Sequence, residues 1–108
     1  MARQDSLQGS LPLLVLKILA RRGPLHGYAI TTQIENISGD VLRVEEGSLY
    51  PALQRLELNA WIEGVWGVTS NNRRARIYKI TVAGRKQLAV ETRKYAKLTL
   101  AIARVMGA

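Results

Sequence analysis

Tyr50, Pro51, Gln54 and Arg55 fall on the side of a helix opposite Leu49, Leu53 and Leu56, because residues three and four apart share a helical face, and Ser48 stands at its start. Gln and Arg are the side chains that make paired hydrogen bonds to base edges, Gln to adenine and Arg to guanine. Ser48 and Tyr50 stand near the helix start, where unpaired backbone N–H groups attract phosphate. A second group follows on a turn-rich stretch: Asn72, Arg73, Arg74 and Arg76. Guanidinium groups on a short turn reach phosphates or a narrow minor groove. Both groups suit recognition of a nucleic-acid duplex, and neither suits bond-making.

The residues needed for catalysis are scarce. His26 is the one histidine, there is no cysteine, and no nucleophile, base and orienting group stand at usable spacing. His26 therefore reads as a helix-start residue; neither a catalytic residue, a metal site nor a cofactor is expected, and the chain is not expected to be an enzyme. Tyr28 and Tyr78 read as packing residues, whereas Tyr50 is turned away from the leucine stripe and reads as a DNA contact. Trp61 and Trp66 read as strand residues of the core.

The elements that must position these groups are marked by apolar periodicity and by Gly, Pro and Asn. Leu7, Leu11, Leu14, Val15, Ile18 and Leu19 give one buried face of a first helix over about Leu11–Ala20, with Ser10 as its N-cap and Pro12 in its first turn. Arg21, Arg22, Gly23 and Pro24 supply a basic last turn, a left-handed cap and a stop. A second helix starts near His26 or Gly27, carries Ile30, Ile34 and Ile37, and ends at Ser38–Gly39. Val41–Val44 is β-prone and predicts one short edge strand. The third helix has Ser48 as cap and Pro51 in its first turn. Trp61–Thr69 and Ala75–Ile80 predict a hairpin with Ser70, Asn71 and Asn72 at the tip.

Thr81 caps a last helix over about Val82–Val105, roughly 36 Å long. Leu88, Tyr95 and Ile102 recur every seventh residue and Leu98 and Val105 take the complementary offset, a coiled-coil seam interrupted at Glu91. The seam predicts a homodimer, since so long a helix overhangs a small domain. The alternative is a helix folded back on its own domain.

With 47% apolar and 22% charged residues the chain of 108 residues has ordinary globular composition, enough for one domain and one modest core. Its net charge is +8, and from Asn71 onward ten Lys and Arg face the single acid Glu91, so the excess lies in the last third. A polyanionic partner follows, against the plainer reading of a solvated basic surface. The absence of cysteine suits a reducing compartment; the N-terminus lacks a signal peptide's apolar region, and no apolar run approaches a membrane span. The expectation is a cytoplasmic protein with no membrane association.

The order helix, helix, short strand, helix, hairpin, helix is that of a winged helix-turn-helix, mostly α with a small antiparallel β-hairpin, extended by a C-terminal dimerisation helix. The expected division is 1–81 for the DNA-binding unit and 82–108 for the dimerisation helix. Leu25-His26-Gly27-Tyr28, Glu46-Gly47-Ser48-Leu49-Tyr50-Pro51-Ala52-Leu53, Arg55-Leu56-Glu57 and Arg76-Ile77-Tyr78-Lys79-Ile80-Thr81 with Gly84 resemble successive signatures of the PadR family and span nearly the whole chain. The resemblance implies a regulator, usually a repressor, whose third helix and wing bind double-stranded operator DNA and whose last helix pairs with its counterpart. It also makes a small-molecule effector reasonable to look for, and implies a cleft at the dimer centre lined by Trp61 and Trp66 as the alternative to their place in the core. Two departures stand out. Asn59-Ala60 replaces the family's common Gly before the first wing strand, with Asn59 expected to take the left-handed conformation; and the single C-terminal helix matches the short members, which argues against an elaborate effector domain. The rival classes are a non-specific architectural or RNA-binding protein, for which charge suffices, and a protein-interaction module, which the basic bias disfavours.

Overall fold

The structure is a computed structural model that describes the backbone of residues 2–107 and the side chains of residues 9–107. Four helices and a three-stranded antiparallel sheet follow in the order α1 (Ala2–Arg22), β1 (Leu25–His26), α2 (Gly27–Ile37), α3 (Glu46–Leu58), β2 (Ile62–Val68), β3 (Arg74–Ile80) and α4 (Val82–Gly107). This is the expected mostly helical winged-helix class with a small antiparallel sheet.

The core forms where the apolar faces of α1, α2 and α3 meet the base of the sheet. Leu11, Val15, Leu16, Ile18 and Leu19 of α1, Ile30 and Ile34 of α2, Leu49, Ala52, Leu53 and Leu56 of α3, Ile62 and Tyr78 are buried together. Ile37, expected on the buried face of α2, is exposed. The expected placement of Leu7 lies outside the residues whose side chains are described.

Several boundaries correct the sequence reading. α1 begins well before Leu11, so Ser10 is an interior residue and not a cap, and Pro12 stands inside the helix. Gly9 costs about 1 kcal/mol in a helix interior and Pro12 lacks the N–H that would bond one turn back. These are weak points that the longer helix absorbs, not its start. α3 begins at Glu46, with Glu45 as N-cap and no side-chain cap bond, so Ser48 is not the cap and Pro51 occupies the second turn. The Glu45 carbonyl accepts from the N–H groups of both Ser48 and Leu49, at 3.0 and 2.9 Å, and this starts the helix early.

The short edge strand is Leu25–His26, not Val41–Val44. Leu25 and His26 pair with Tyr78 and Ile77 of β3, giving the order β1-β3-β2. The 41–44 segment is instead held by side chains: Ser38 Oγ accepts the Leu42 N–H at 3.0 Å and Glu35 Oε2 accepts the Val44 N–H at 3.1 Å. With the Val41 N–H on the Ser38 carbonyl at 3.2 Å, three of its four backbone donors are satisfied locally without a ladder.

The turn after α3 is a Schellman closure, in which the Ala60 N–H reaches the Glu57 carbonyl at 2.9 Å and the Trp61 N–H the Leu56 carbonyl at 3.0 Å. Ala60, with φ of 59°, takes the left-handed conformation expected of Asn59, which sits at φ of −84°.

Thr81 caps α4 as expected: its Oγ1 accepts the Gly84 N–H at 3.0 Å and donates to the Ala60 carbonyl at 2.7 Å. Gly84 is buried, and a Cβ there would collide with the Trp61 carbonyl, so α4 can dock this closely only with glycine. The first turns of α4 pack on α1, with Leu88 and the half-buried Trp61 lying against the core. Beyond Glu91 the helix projects free, and every residue from Thr92 to Gly107 is exposed. The resulting shape is elongated, 53 × 28 × 22 Å. No helix among the described residues is long and apolar enough to cross a membrane.

Candidate nucleic-acid interface

Burial of Leu49, Ala52, Leu53 and Leu56 turns the other side of α3 outward. Tyr50, Pro51, Gln54 and Arg55 are exposed there, Tyr50 at 48%, and Ser48 is half-buried at the helix start. Neither Gln54 nor Arg55 has a side-chain partner among the described residues; the Asn59 side-chain amide donates to the Arg55 backbone carbonyl, at 3.0 Å, and not to its side chain.

The wing runs beside this face. β2 and β3 pair in register from Ile62↔Ile80 to Val68↔Arg74. The tip is closed by the Asn72 N–H on the Thr69 carbonyl at 2.9 Å and the Thr69 N–H on the Arg73 carbonyl at 2.8 Å, with Asn72 left-handed at φ of 60°. Side chains alternate across a strand. Trp66, Arg74, Arg76 and Tyr78 therefore share the sheet face that carries the buried Ile62, while Glu63 and Lys79 pair at 3.5 Å on the other.

An open groove of about 380 Å³ separates the wing from the starts of α2 and α3, lined among others by His26, Tyr28, Tyr50, Trp66, Arg74 and Arg76. Tyr28, expected to pack, is 74% exposed and stacks on His26 with ring centroids 6.5 Å apart. Trp66, expected in the core, is 60% exposed; the Arg74 guanidinium lies 4.8 Å and that of Arg76 5.9 Å from its ring centroid. Trp61 packs against the core as expected, whereas Trp66 stands outside it and lines the groove.

Of the wing arginines, Arg73 and Arg74 are exposed, whereas Arg76 Nη2 donates to Glu57 Oε2 of α3 at 2.8 Å. The hydrogen bond to Glu57 raises the Arg76 pKa above the ordinary arginine value, so it stays charged. Burial raises the Tyr78 phenol, which stays neutral well into the alkaline range. Glu57 is the participant the sequence reading missed, and Trp66 the one it placed in the core. The period-two pattern already puts Trp66 on the Ile62 face, but only the packing of α3 under the wing brings Glu57 to Arg76.

Among the described residues no three His, Asp or Glu side chains converge as a metal site. Exposed bases line α4 as well: Arg85, Lys86, Arg93, Lys94, Lys97 and Arg104. The seam residues divide. Leu88 is half-buried against its own core, while Tyr95, Leu98, Ile102 and Val105, joined by Leu100 and Met106, stand exposed.

Residues 15–90 match the Transcriptional regulator PadR-like family. A solved transcriptional regulator from Clostridium thermocellum is 26% identical, superposes with a TM-score of 0.83 and covers 93% of this chain and 96% of its own. A PadR-like transcriptional regulator from Bacillus cereus is 25% identical with a TM-score of 0.80, covering 96% and 98%. A curated uncharacterised protein of Lysinibacillus sphaericus is 29% identical across 91% of this chain and 89% of its own length. A 37.1 kDa protein in a transposon of Streptomyces fradiae is 42% identical over 87 residues, 81% of this chain, which spans only 23% of that protein.

Proposed function

Because the chain belongs to the PadR-like family of transcriptional regulators, we propose that it is a sequence-specific repressor that binds a palindromic operator as a homodimer in the cytoplasm. The observation that carries this reading is the outward face of α3, where Gln54 and Arg55 stand without side-chain partners beside a wing carrying the exposed Arg73 and Arg74. α3 enters the major groove, Gln54 and Arg55 read base edges, and Ser48, Tyr50 and Pro51 set the helix against the backbone. Asn72, Arg73 and Arg74 hold the adjoining phosphates or minor groove.

Residues 1–81 form the reading unit, and residues 82–108 join two copies through Tyr95, Leu98, Ile102 and Val105, with Leu88 anchoring the helix at the edge of the seam. The exposed apolar side chains of the projecting helix support a second copy as their cover. Paired recognition helices then stand about one DNA turn, roughly 34 Å, apart. A small-molecule effector that releases DNA is a further part of this reading, and no cofactor is invoked.

Selection of bound duplexes from a random pool, followed by titration across salt, tests the proposal. A palindromic consensus is expected, bound about a thousandfold or more tighter than random duplex, with affinity falling steeply as salt rises. Arg55→Ala is expected to abolish preference at one base position of each half-site, a loss of about 1–3 kcal/mol. The exposed bases of α4 favour the rival reading, a non-specific architectural or RNA-binding protein. A uniform drop for all sequences in Arg55→Ala, with no consensus in the pool, would establish that rival.

A further inference from the structure

Arg76 lies in the wing among cations assigned to phosphate, yet its surroundings differ from those of Arg73 and Arg74. Its Nη2 lies 2.8 Å from Glu57 Oε2, and Glu57 is on α3, two residues after Arg55. The bridge crosses directly over Gly64 of β2: a Cβ there would stand 2.7 Å from Arg76 Nε and 3.1 Å from both Arg76 Cζ and Glu57 Oε2. The Trp66 ring flanks the same guanidinium at 5.9 Å. Acid and cation thus cross over a position where a Cβ would push the guanidinium aside, with the aromatic ring next to the cation.

We propose that Glu57 and Arg76, clasped over Gly64, form a strut that fixes the wing against the recognition helix, making Arg76 a positioning residue and not a phosphate contact. This deepens the operator-binding reading and rests on it. Gln54 and Arg55 precede Glu57 on one rigid helix, while Arg74 precedes Arg76 on β3 and Arg73 stands in the turn just before it. The clasp therefore sets the distance between the base-reading and the phosphate-holding groups. Such a setting changes how well the two engage one site together, which is specificity, and leaves the number of phosphates neutralised unchanged. It also accounts for an acid beside a surface meant for a polyanion, since the Glu57 charge is cancelled by the residue it holds.

The experiment compares four variants on the selected operator and on random duplex. Glu57→Gln and Gly64→Ala are expected to lower the ratio of operator to random affinity by about fivefold each. Gly64→Ala does so with no change of charge. Arg76→Gln is expected to lower the ratio similarly while leaving the salt slope of operator binding unchanged, whereas Arg74→Gln reduces that slope by about 0.9 per protomer. The charge swap Glu57→Arg with Arg76→Glu is expected to recover most of the ratio.

The inference is overturned if Arg76→Gln reduces the salt slope as Arg74→Gln does, or if Glu57→Gln leaves the ratio intact. A swap that binds worse than Arg76→Gln alone would overturn it equally, because an acid replacing a true phosphate contact cannot be rescued from α3. The chain has no cysteine, so spin labels at Asn71→Cys and Leu58→Cys read the wing directly. Their distance distribution is expected to broaden in Glu57→Gln without DNA present. An unbroadened distribution sinks the strut, and broadening in a protein that selects no operator leaves the strut standing while the DNA reading fails.

Discussion

The two halves of α4 are built from the same kinds of residue at the same helical spacing and have opposite surroundings. From Val82 to Glu91 the helix is seated on the body, with Gly84 buried against the start of the wing and Leu88 against the core. From Thr92 on, nothing in the protomer covers Tyr95, Leu98, Leu100, Ile102, Val105 or Met106. Periodicity in a helix specifies that one face should be covered but not by what. The body shows what covering looks like when it comes from the same chain; the tail shows the same apolar face with nothing in the chain to cover it, which the proposed dimer would cover. The tail's stability should therefore depend on protein concentration, and the body's should not.

Breaking the tail gives the largest effect. Leu98→Lys with Ile102→Lys places four ammonium groups in the seam of the proposed dimer and forfeits the burial of four apolar side chains, more than about 5 kcal/mol of association. Sedimentation is expected to shift from dimer to monomer, and operator affinity to fall at least about a hundredfold as the two reading units lose their tether. A dimer that survives both lysines would show that the exposed face is not the seam.

Breaking the body is the next largest change and should behave differently. Leu16, fully buried at 0% exposure among the side chains of α1, α2 and α3, is expected to cost about 3 kcal/mol when cut to alanine. The loss should be seen in chemical denaturation as the same shift at every protein concentration. A destabilisation that vanishes at high concentration would mean that the body, too, depends on the partner.

The same contrast explains what could be read from the residues alone. The buried stripes of α1 and α3 were legible because several leucines in a row had to face one core, and the wing was legible from alternation ending at Ser70-Asn71-Asn72. Features set by contacts distant in sequence were hidden. Val41–Val44 looked like a strand by propensity, but Glu35 and Ser38 satisfy its backbone from the preceding helix. Leu25–His26 carries almost no strand signal and is extended because β3 lies alongside it. Trp66 looks like core, and it is exposed because it faces the open groove between the wing and the starts of α2 and α3. The outward face of α3 followed directly from the leucine stripe, whereas the separation of Arg76 from Arg73 and Arg74 required Glu57, nineteen residues away along the chain.

The smallest expected effect concerns the joint between reading helix and wing. α2 and α3 end in the same closure, with a residue of positive φ following the cap, and α2 places Gly39 there at 62° while α3 places Ala60 at 59°. A left-handed residue with a Cβ costs roughly 1–2 kcal/mol, so Ala60 carries strain that Gly39 at the matching position does not, although Asp40 just beyond Gly39 is also left-handed, at 63°. Ala60→Gly removes it but frees the unfolded chain, an opposing term of about 0.4–1 kcal/mol. The net expectation is a gain of about 0.5–1 kcal/mol, a rise in melting temperature of about 3–5 °C. The Ala60 N–H and carbonyl, bound to Glu57 and to the Thr81 hydroxyl, keep their partners throughout. The gain should appear equally in wild-type protein and in the doubly lysine-substituted tail, because the joint belongs to the body. If Ala60→Gly destabilises, or stabilises only the dimer, the turn is held by something other than its own backbone, and the separation of body from tail does not hold at this joint.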